Sequence, residues 1–183
     1  MTIFAMMHKV LFHSKIDTPV GEMDVLSTND GICLLEFHDR NELNAEIAVL
    51  EKHFECSITE GDNKHIIQLK EELIEYFNGN LQNFTVPTIF QGTEFQSKVW
   101  NALLDIPYGQ TRTYKEQTLV LGDIKAIRAV ASANGKNKLA IIIPCHRVIG
   151  SDGNLTGYAG GVDRKRFLLN LEREIAGPKD LFS

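Results

Sequence analysis

The sequence predicts a mixed α/β chain of the α+β type. It has two modules: an α/β supporting module with its linker over residues 1–90, and a helical module over residues 91–183. Three observations carry this. The first half alternates short strand-like runs with two segments of helical period. The second half opens two helices on capping boxes and joins two short helices through a glycine turn, the outline of a helix-turn-helix. Charge divides at the same place. Residues 1–90 hold 6 Lys+Arg against 15 Asp+Glu, and residues 91–183 hold 13 against 9.

In the first module Lys9–Ile16, Gly21–Ser27 and Ile32–Phe37 read as strands, with a turn at Asn29-Asp30-Gly31. Leu43, Ile47, Leu50 and Phe54 mark a helix over Glu42–Phe54. Leu69, Leu73, Ile74 and Phe77 mark a second over Ile66–Phe77, closed by Asn78-Gly79-Asn80. A polar linker with one more short strand runs to about Gln91. No catalytic constellation is visible in this half.

In the second module Thr93-Glu94-Phe95-Gln96 caps a helix that carries Phe95, Val99, Trp100, Leu103 and Leu104 on one face, and Pro107-Tyr108-Gly109 stops it. Thr113-Tyr114-Lys115-Glu116 caps a short helix to about Leu121. Gly122 turns the chain, and Asp123 caps a third helix, Ile124–Asn134, with Ala126, Ala129, Val130 and Ala133 as its buried stripe. Leu139–Ile143 reads as a buried strand delivering Pro144-Cys145-His146-Arg147 to an edge. A Gly-rich loop follows over residues 150–161, then an amphipathic helix over Val162–Ile175 with Phe167, Leu168, Leu171 and Ile175.

Composition excludes several classes. With 43% apolar and 23% charged residues the chain is not disordered, and three Cys do not make a disulfide scaffold. No apolar run approaches the ~20 residues that span a bilayer. The N-terminal stretch lacks the basic region and cleavage site of a signal peptide. The expectation is a soluble intracellular protein without membrane contact. The net charge of −5 masks a basic stretch over residues 111–147, where Arg112, Lys115, Lys125, Arg128, Lys136, Lys138 and Arg147 face only Glu116 and Asp123. A polyanion responds to such a local patch, because more distant charges are screened beyond ~8 Å.

Cys145 is the cysteine with reactive surroundings. The thiolate is the nucleophile, so the site is expected to lower a pKa that starts near ~8.5. His146 and Arg147 follow it directly, and Glu172 on the last helix is the carboxylate suited to orient the imidazole. Neighbouring side chains of an extended segment point apart. His146 therefore serves Cys145 only across a turn or through a bridging water. The tetrapeptide alone fits equally an inert buried thiol beside a core histidine. Cys33, His38, His53 and Cys56 match no compact zinc motif, so no metal is expected. The Gly-rich loop lacks the order of a phosphate-binding loop. It suits the wall of a narrow pocket for a flat ligand, where Tyr158 could stack on a base.

Ile143-Pro144-Cys145-His146-Arg147-Val148, preceded by Arg128-Ala129-Val130 and Ala133-Asn134-Gly135-Lys136-Asn137, resembles the O6-alkylguanine-DNA alkyltransferases, or methylated-DNA–protein-cysteine methyltransferases. The resemblance runs from about Gly92 to Glu172. It includes Phe95-Gln96, Val99-Trp100, Ile106-Pro107-Tyr108-Gly109, Thr113-Tyr114, Gly157-Tyr158-Ala159-Gly160-Gly161 and Leu168-Leu169. It implies a ribonuclease-H-like α/β domain followed by a winged-helix-like domain with the helix-turn-helix.

The resemblance also implies roles. Cys145 would accept the alkyl group, His146 would take the thiol proton through a water, and Glu172 would hold His146. Asn137 would tie the third helix to the Cys145 segment, and Lys165 would lie near the pocket. Arg128 would fill the gap left by a flipped nucleotide, with Lys125, Ala129 and Arg147 as further DNA contacts. Tyr114 would press on the adjacent phosphate and donate to the purine. Val148, Tyr158, Ala159 and Gly160 would line the base pocket, with the Ala159 N–H facing O6. Some relatives carry Ser at Ala159, and the amino-terminal zinc ligands of some relatives are not recognisable here.

The implied activity is single-turnover, cofactor-free transfer of an alkyl group from O6-alkylguanine, with O4-alkylthymine a further substrate to consider. The partner would be double-stranded DNA approached from the minor groove by a monomer in the cytoplasm, at the nucleoid, or in the nucleus of a eukaryote. Three rivals share parts of this pattern: a silent lesion-binding protein, a Cys-His-Glu hydrolase or acyltransferase, and a plain DNA-binding regulator.

Overall fold

Branched and apolar runs separated by glycine-bearing turns fold the first module into a four-stranded sheet. The computed structural model describes residues 10–177, so Lys9, the expected first strand residue, lies outside them. β1 (Leu11–Ile16), β2 (Met23–Ser27) and β3 (Ile32–Phe37) form an antiparallel meander, followed by α1 (Leu43–Phe54). β4 (Ile58–Glu60), which residue patterning did not reveal, pairs in parallel with β1, giving the order β3-β2-β1-β4. α2 (Lys64–Phe77) starts on Asn63, whose side chain accepts from the His65 and Ile66 N–H groups. The expected linker strand reduces to a single bridge between Thr88 and Ile32.

Alternation, interrupted by a bulge in the β2–β3 pair that puts Cys33 beside Leu34, sends the two faces of the sheet to different cores. Leu11, Leu26, Cys33 and Leu34 pack with Leu43 and Leu50 of α1. Met23, Val25, Leu35 and Phe37 join Leu69, Leu73 and Tyr76 of α2 in a cluster that continues into the second module through Val99, Trp100, Val130, Ile143 and Leu168. Ile74, expected on the buried stripe of α2, is exposed.

Both capping boxes form. Thr93 and Gln96 open α3 (Glu94–Leu104). After the short strand β5 (Arg112–Thr113), Thr113 and Glu116 open α4 (Tyr114–Val120). Only Val99, Trp100 and Leu103 of the expected α3 face are buried; Phe95 and Leu104 are exposed. Asp123 caps a single 3-10 turn over Ile124–Ala126, and α5 (Ile127–Gly135) follows. Val130 and Ala133 hold α5 to the core. Ala129 faces solvent, which corrects its expected burial.

The expected strand at 139–143 does not form. Leu139 makes one parallel bridge to Leu35: the Leu35 N–H donates to the Lys138 carbonyl at 2.8 Å, and the Ala140 N–H donates to the Leu35 carbonyl at 2.9 Å. The chain then turns sharply, with Ile141 at φ 70° and the Ile143 N–H bonded back to the Leu139 carbonyl. A branched residue in the left-handed region is strained, and this one is buried in the common core. β6 (Val148–Ile149) pairs with β5, and α6 (Val162–Ala176) closes the molecule. Among the described residues no helix is long and apolar enough to cross a membrane.

His13 ties three strands together. Its Nε2 lies 2.7 Å from Asp24 Oδ1 and its Nδ1 lies 2.7 Å from Glu60 Oε1. An ionised carboxylate only accepts, so both ring nitrogens donate. Burial would lower the His13 pKa, but the two carboxylates outweigh it and raise the pKa above its usual value. The stability from this contact is therefore full below about pH 6.5 and is lost as pH climbs through the raised folded value. Urea midpoints of wild type and His13→Gln should converge as pH rises from 6 to 9. A gap of constant size would contradict the assignment.

Candidate active site

The 3-10 turn Cys145-His146-Arg147 starts where Pro144 ends the turn after Ile141, so adjacent side chains fan out around a turn rather than alternating along a strand. Cys145 keeps 8% of its surface. Asn137 holds the segment from below: its Nδ2 donates to the Ile143 carbonyl at 2.9 Å and lies 3.2 Å from Cys145 Sγ, while its Oδ1 accepts from the Leu139 N–H. The side chain that shapes the turn is thus also a hydrogen-bond donor to the thiol sulfur.

Glu172 lies wholly buried on α6. Its Oε1 accepts from His146 Nε2 at 2.8 Å, Arg147 Nη2 at 3.0 Å and the Tyr76 hydroxyl at 2.8 Å. Its Oε2 accepts from Arg147 Nε at 2.8 Å and the Gly109 N–H at 3.2 Å. Burial would raise the Glu172 pKa, but the bonds from His146 and Arg147 overcome it and hold the carboxyl at about 2. Because the ionised oxygen only accepts, His146 carries its proton on Nε2 and presents the Nδ1 lone pair. That Nδ1 is buried and bonded to no described residue. Burial, ahead of the opposing pull of Glu172, lowers the His146 pKa and keeps the ring neutral.

Arg147 is not a surface residue. Its guanidinium is spent on Glu172 and on the Ile106 carbonyl at 2.7 Å, and lies 5.6 Å from the Tyr108 ring centroid. The burial of Arg147 corrects the expected DNA contact there: a buried carboxylate requires a buried cation, and this one is adjacent. Arg112 also leaves the basic patch, donating to the Ala102 carbonyl and to Gln117. Lys115, Lys125, Arg128 and Lys136 remain exposed on the α4–α5 hairpin, with Ala129 and the apolar Leu119, Val120, Ile124 and Ile127.

The Gly-rich loop is anchored on both sides. Lys165, wholly buried, donates to the Val148 carbonyl at 2.6 Å and the Thr156 carbonyl at 2.7 Å, and the Tyr114 hydroxyl donates to the Gly157 carbonyl at 3.1 Å. Lys165 Nζ lies 5.9 Å from the Tyr114 ring centroid. A Cβ on Gly160 would strike the Phe37 ring, which meets Tyr158 edge-on at 6.2 Å. Arg164 covers Phe37 at 4.3 Å and pairs with Asp39. Val148 is buried, Ala159 is exposed, and the Tyr158 and His146 ring centroids are 6.5 Å apart.

Residue patterning predicted a depressed thiol pKa, and the structure gives the opposite. Burial pushes Cys145 up to about 11, against the opposing influence of Asn137 and Lys165. Lys165 itself falls to about 8 because burial disfavours its charge. At neutral pH Cys145 is therefore protonated. Residue patterning gives Gly109, Arg164 and Asp39 no site role, and Tyr76 only one indirect signal. A tyrosine in the last turn of an apolar helix stripe was the one available clue, since a buried phenol needs a partner.

Among the described residues no three His, Cys, Asp or Glu side chains are placed to hold a metal. The Cys33 thiol lies in the core, 3.3 Å from the Leu26 carbonyl.

A sheet module packed on a helix-turn-helix module, with a buried cysteine beside a histidine–carboxylate pair, defines a two-domain protein with nucleophilic-cysteine machinery at a nucleic-acid-type interface. The chain belongs to the 6-O-methylguanine DNA methyltransferase family. The family's ribonuclease-like domain matches residues 11–90 and its DNA binding domain matches residues 94–174. The chain is 42% identical over 165 residues to the methylated-DNA–protein-cysteine methyltransferase of Methanosarcina barkeri, covering 88% of this chain and 97% of the relative. It is 41% identical over 174 residues to that of Mycobacterium tuberculosis, covering 94% and 98%. The crystal structure of Mycobacterium tuberculosis O6-methylguanine methyltransferase superposes with a TM-score of 0.78 at 38% identity, covering 93% of this chain and 97% of that one. The Mycobacterium tuberculosis OGT in complex with DNA superposes with a TM-score of 0.77 at 38% identity, covering 90% and 94%.

With its pKa near 11, the free protein's Cys145 is a thiol at neutral pH, with a thiolate fraction on the order of 10⁻⁴. Carbamidomethylation of the Cys145 peptide by iodoacetamide, followed by mass spectrometry, should climb about tenfold per pH unit from pH 7 to 10. A plateau beginning near pH 7 would contradict the assignment.

Proposed function

We propose that this protein repairs double-stranded DNA by moving the alkyl group of O6-alkylguanine irreversibly to Cys145. The observation that carries the reading is that one 3-10 turn holds a Cys145 thiol bonded by Asn137 next to a His146–Glu172 pair with an unpartnered Nδ1, in a module that also exposes a basic hairpin.

The reaction balances without a cofactor. Sγ attacks the alkyl carbon, the O6–carbon bond breaks, and a carbon–sulfur bond forms. The thiol proton passes through a bridging water to His146 Nδ1, the departing guanine takes up one proton from water at a ring nitrogen, and the His146 imidazolium returns one proton to water. The Nε2–H bond to Glu172 steadies the imidazolium that forms. Tyr114 and the Ala159 N–H face the charge growing on the purine. The thioether product resists hydrolysis, so each molecule acts once.

Reaching the alkyl carbon requires the nucleotide to leave the stack, at a cost of a few kcal/mol. Arg128 enters the gap from the minor groove, offsetting part of that cost. Lys125 contacts phosphate, and Ala129 allows close approach of the α5 backbone. Tyr158, Gly160 and Val148 wall the base pocket. The protein acts as a monomer wherever the DNA is, at the nucleoid or in a nucleus.

Incubation with a duplex carrying one O6-methylguanine should add the mass of one methyl group to the Cys145 peptide, at one group per protein, and Cys145→Ala should add none. Label on another residue, repeated turnover, or ester hydrolysis by the same array would overturn the reading. Salt dependence separates the exposed cation Lys125 from the buried Arg147. Lys125→Ala should reduce the slope of log affinity against log salt by about 0.9. Arg147→Ala should leave that slope unchanged while costing about 3–5 kcal/mol in urea unfolding.

A further inference from the structure

We propose that Tyr76, on the sheet module's helix α2, is a positioning residue for the reaction: its hydroxyl donates to Glu172 Oε1, the same oxygen that receives His146 Nε2–H, and so sets how strongly Glu172 draws the proton of His146. The contact is 2.8 Å long, joins residues 96 positions apart and is fully buried. The ring is fixed independently of it. It meets Tyr108 at 5.9 Å and Phe77 at 5.2 Å edge-on, and lies tilted against Phe84 at 5.4 Å. Packing alone would therefore hold a phenylalanine there, and the hydroxyl is left to serve Glu172.

Every group facing Glu172 is accounted for. Tyr76 comes from α2, Gly109 N–H from the loop after α3, and His146 and Arg147 from the 3-10 turn. Tyr108 lies beside Arg147, and Lys165 acts on His146 from α6 itself. Of these, only Tyr76 and Arg147 share Oε1 with His146. The Tyr76 phenol stays protonated, because burial, followed by the nearby Glu172 charge, raises its pKa well above the usual range. It is a permanent donor. Removing it leaves Oε1 a stronger acceptor, so His146 becomes easier to protonate and the neutral base is lost at higher pH. Strengthening the donor does the reverse.

The inference rests on the alkyl-transfer reading, and two readouts keep the two apart. In single-turnover transfer from O6-methylguanine duplex, the acid limb of the rate–pH profile should move up by about half a unit in Tyr76→Phe, a roughly threefold loss on that limb. With 3-fluorotyrosine at position 76, which donates more strongly and keeps every ring contact, the limb should move down. The ¹⁵N titration of the His146 ring in the free protein should shift in the same two directions. Profiles and ring titrations that superpose on wild type in both variants would overturn the proposal and leave Tyr76 a packing residue. If Tyr76→Phe fails to fold, the fluorotyrosine protein decides alone. Absence of transfer in wild type would count against the reaction reading, while the ring titration still scores the Tyr76 contact.

Discussion

One buried carboxylate organises this molecule. Glu172 accepts five hydrogen bonds, from Tyr76, Gly109, His146 and twice from Arg147. An unpaired charge at this depth would be prohibitive, and these donors together compensate it. Arg147 compensates the charge. The Gly109 N–H can approach because the chain turns there at φ 72°, where a side chain would press on α6. His146 gains a fixed tautomer. The neutral, oriented base beside Cys145 is thus a consequence of how α6 is buried.

The same constraint explains why the sheet module is more than a support. It reaches the site by three routes: Tyr76 to Glu172, the backbone bridge from Leu35 to Lys138 and Ala140, and Phe37 under Gly160 with Arg164 clamped to Asp39. The second route fixes the start of the turn that carries Cys145. The strained Ile141 conformation persists because that bridge on one side and Asn137 on the other determine the path between them.

Local signals in the sequence were legible. Both capping boxes follow from side chains acting on neighbouring backbone, which needs no tertiary information, and the three meander strands follow from their apolar patterning; α2 starts two residues before the expected Ile66, and the expected third helix opens as a 3-10 turn. The Cys145–His146–Glu172 grouping was legible from residue type and family resemblance. What failed depended on burial and on hydrogen-bond partners that patterning does not identify. Leu139–Ile143 has a strand's composition, but Asn137 closes it into a turn. Ala129 has a core residue's size, but the helix faces it outward. Arg147 has a DNA contact's chemistry, but a carboxylate 25 positions away claims it. The thiol pKa moved opposite to expectation because burial outweighs the neighbouring donor and cation.

On the proposed reading, a high thiol pKa beside a neutral imidazole keeps Cys145 protonated at neutral pH, which suits a nucleophile that is spent in one use. That economy depends on Glu172 remaining charged inside the protein. A ¹³C titration of the Glu172 side-chain carboxyl is the most direct measurement of it. The account predicts a resonance that stays at its ionised position from pH 8 down to pH 4, with its midpoint at about 2. A midpoint in the ordinary range of about 4 to 5 would contradict it.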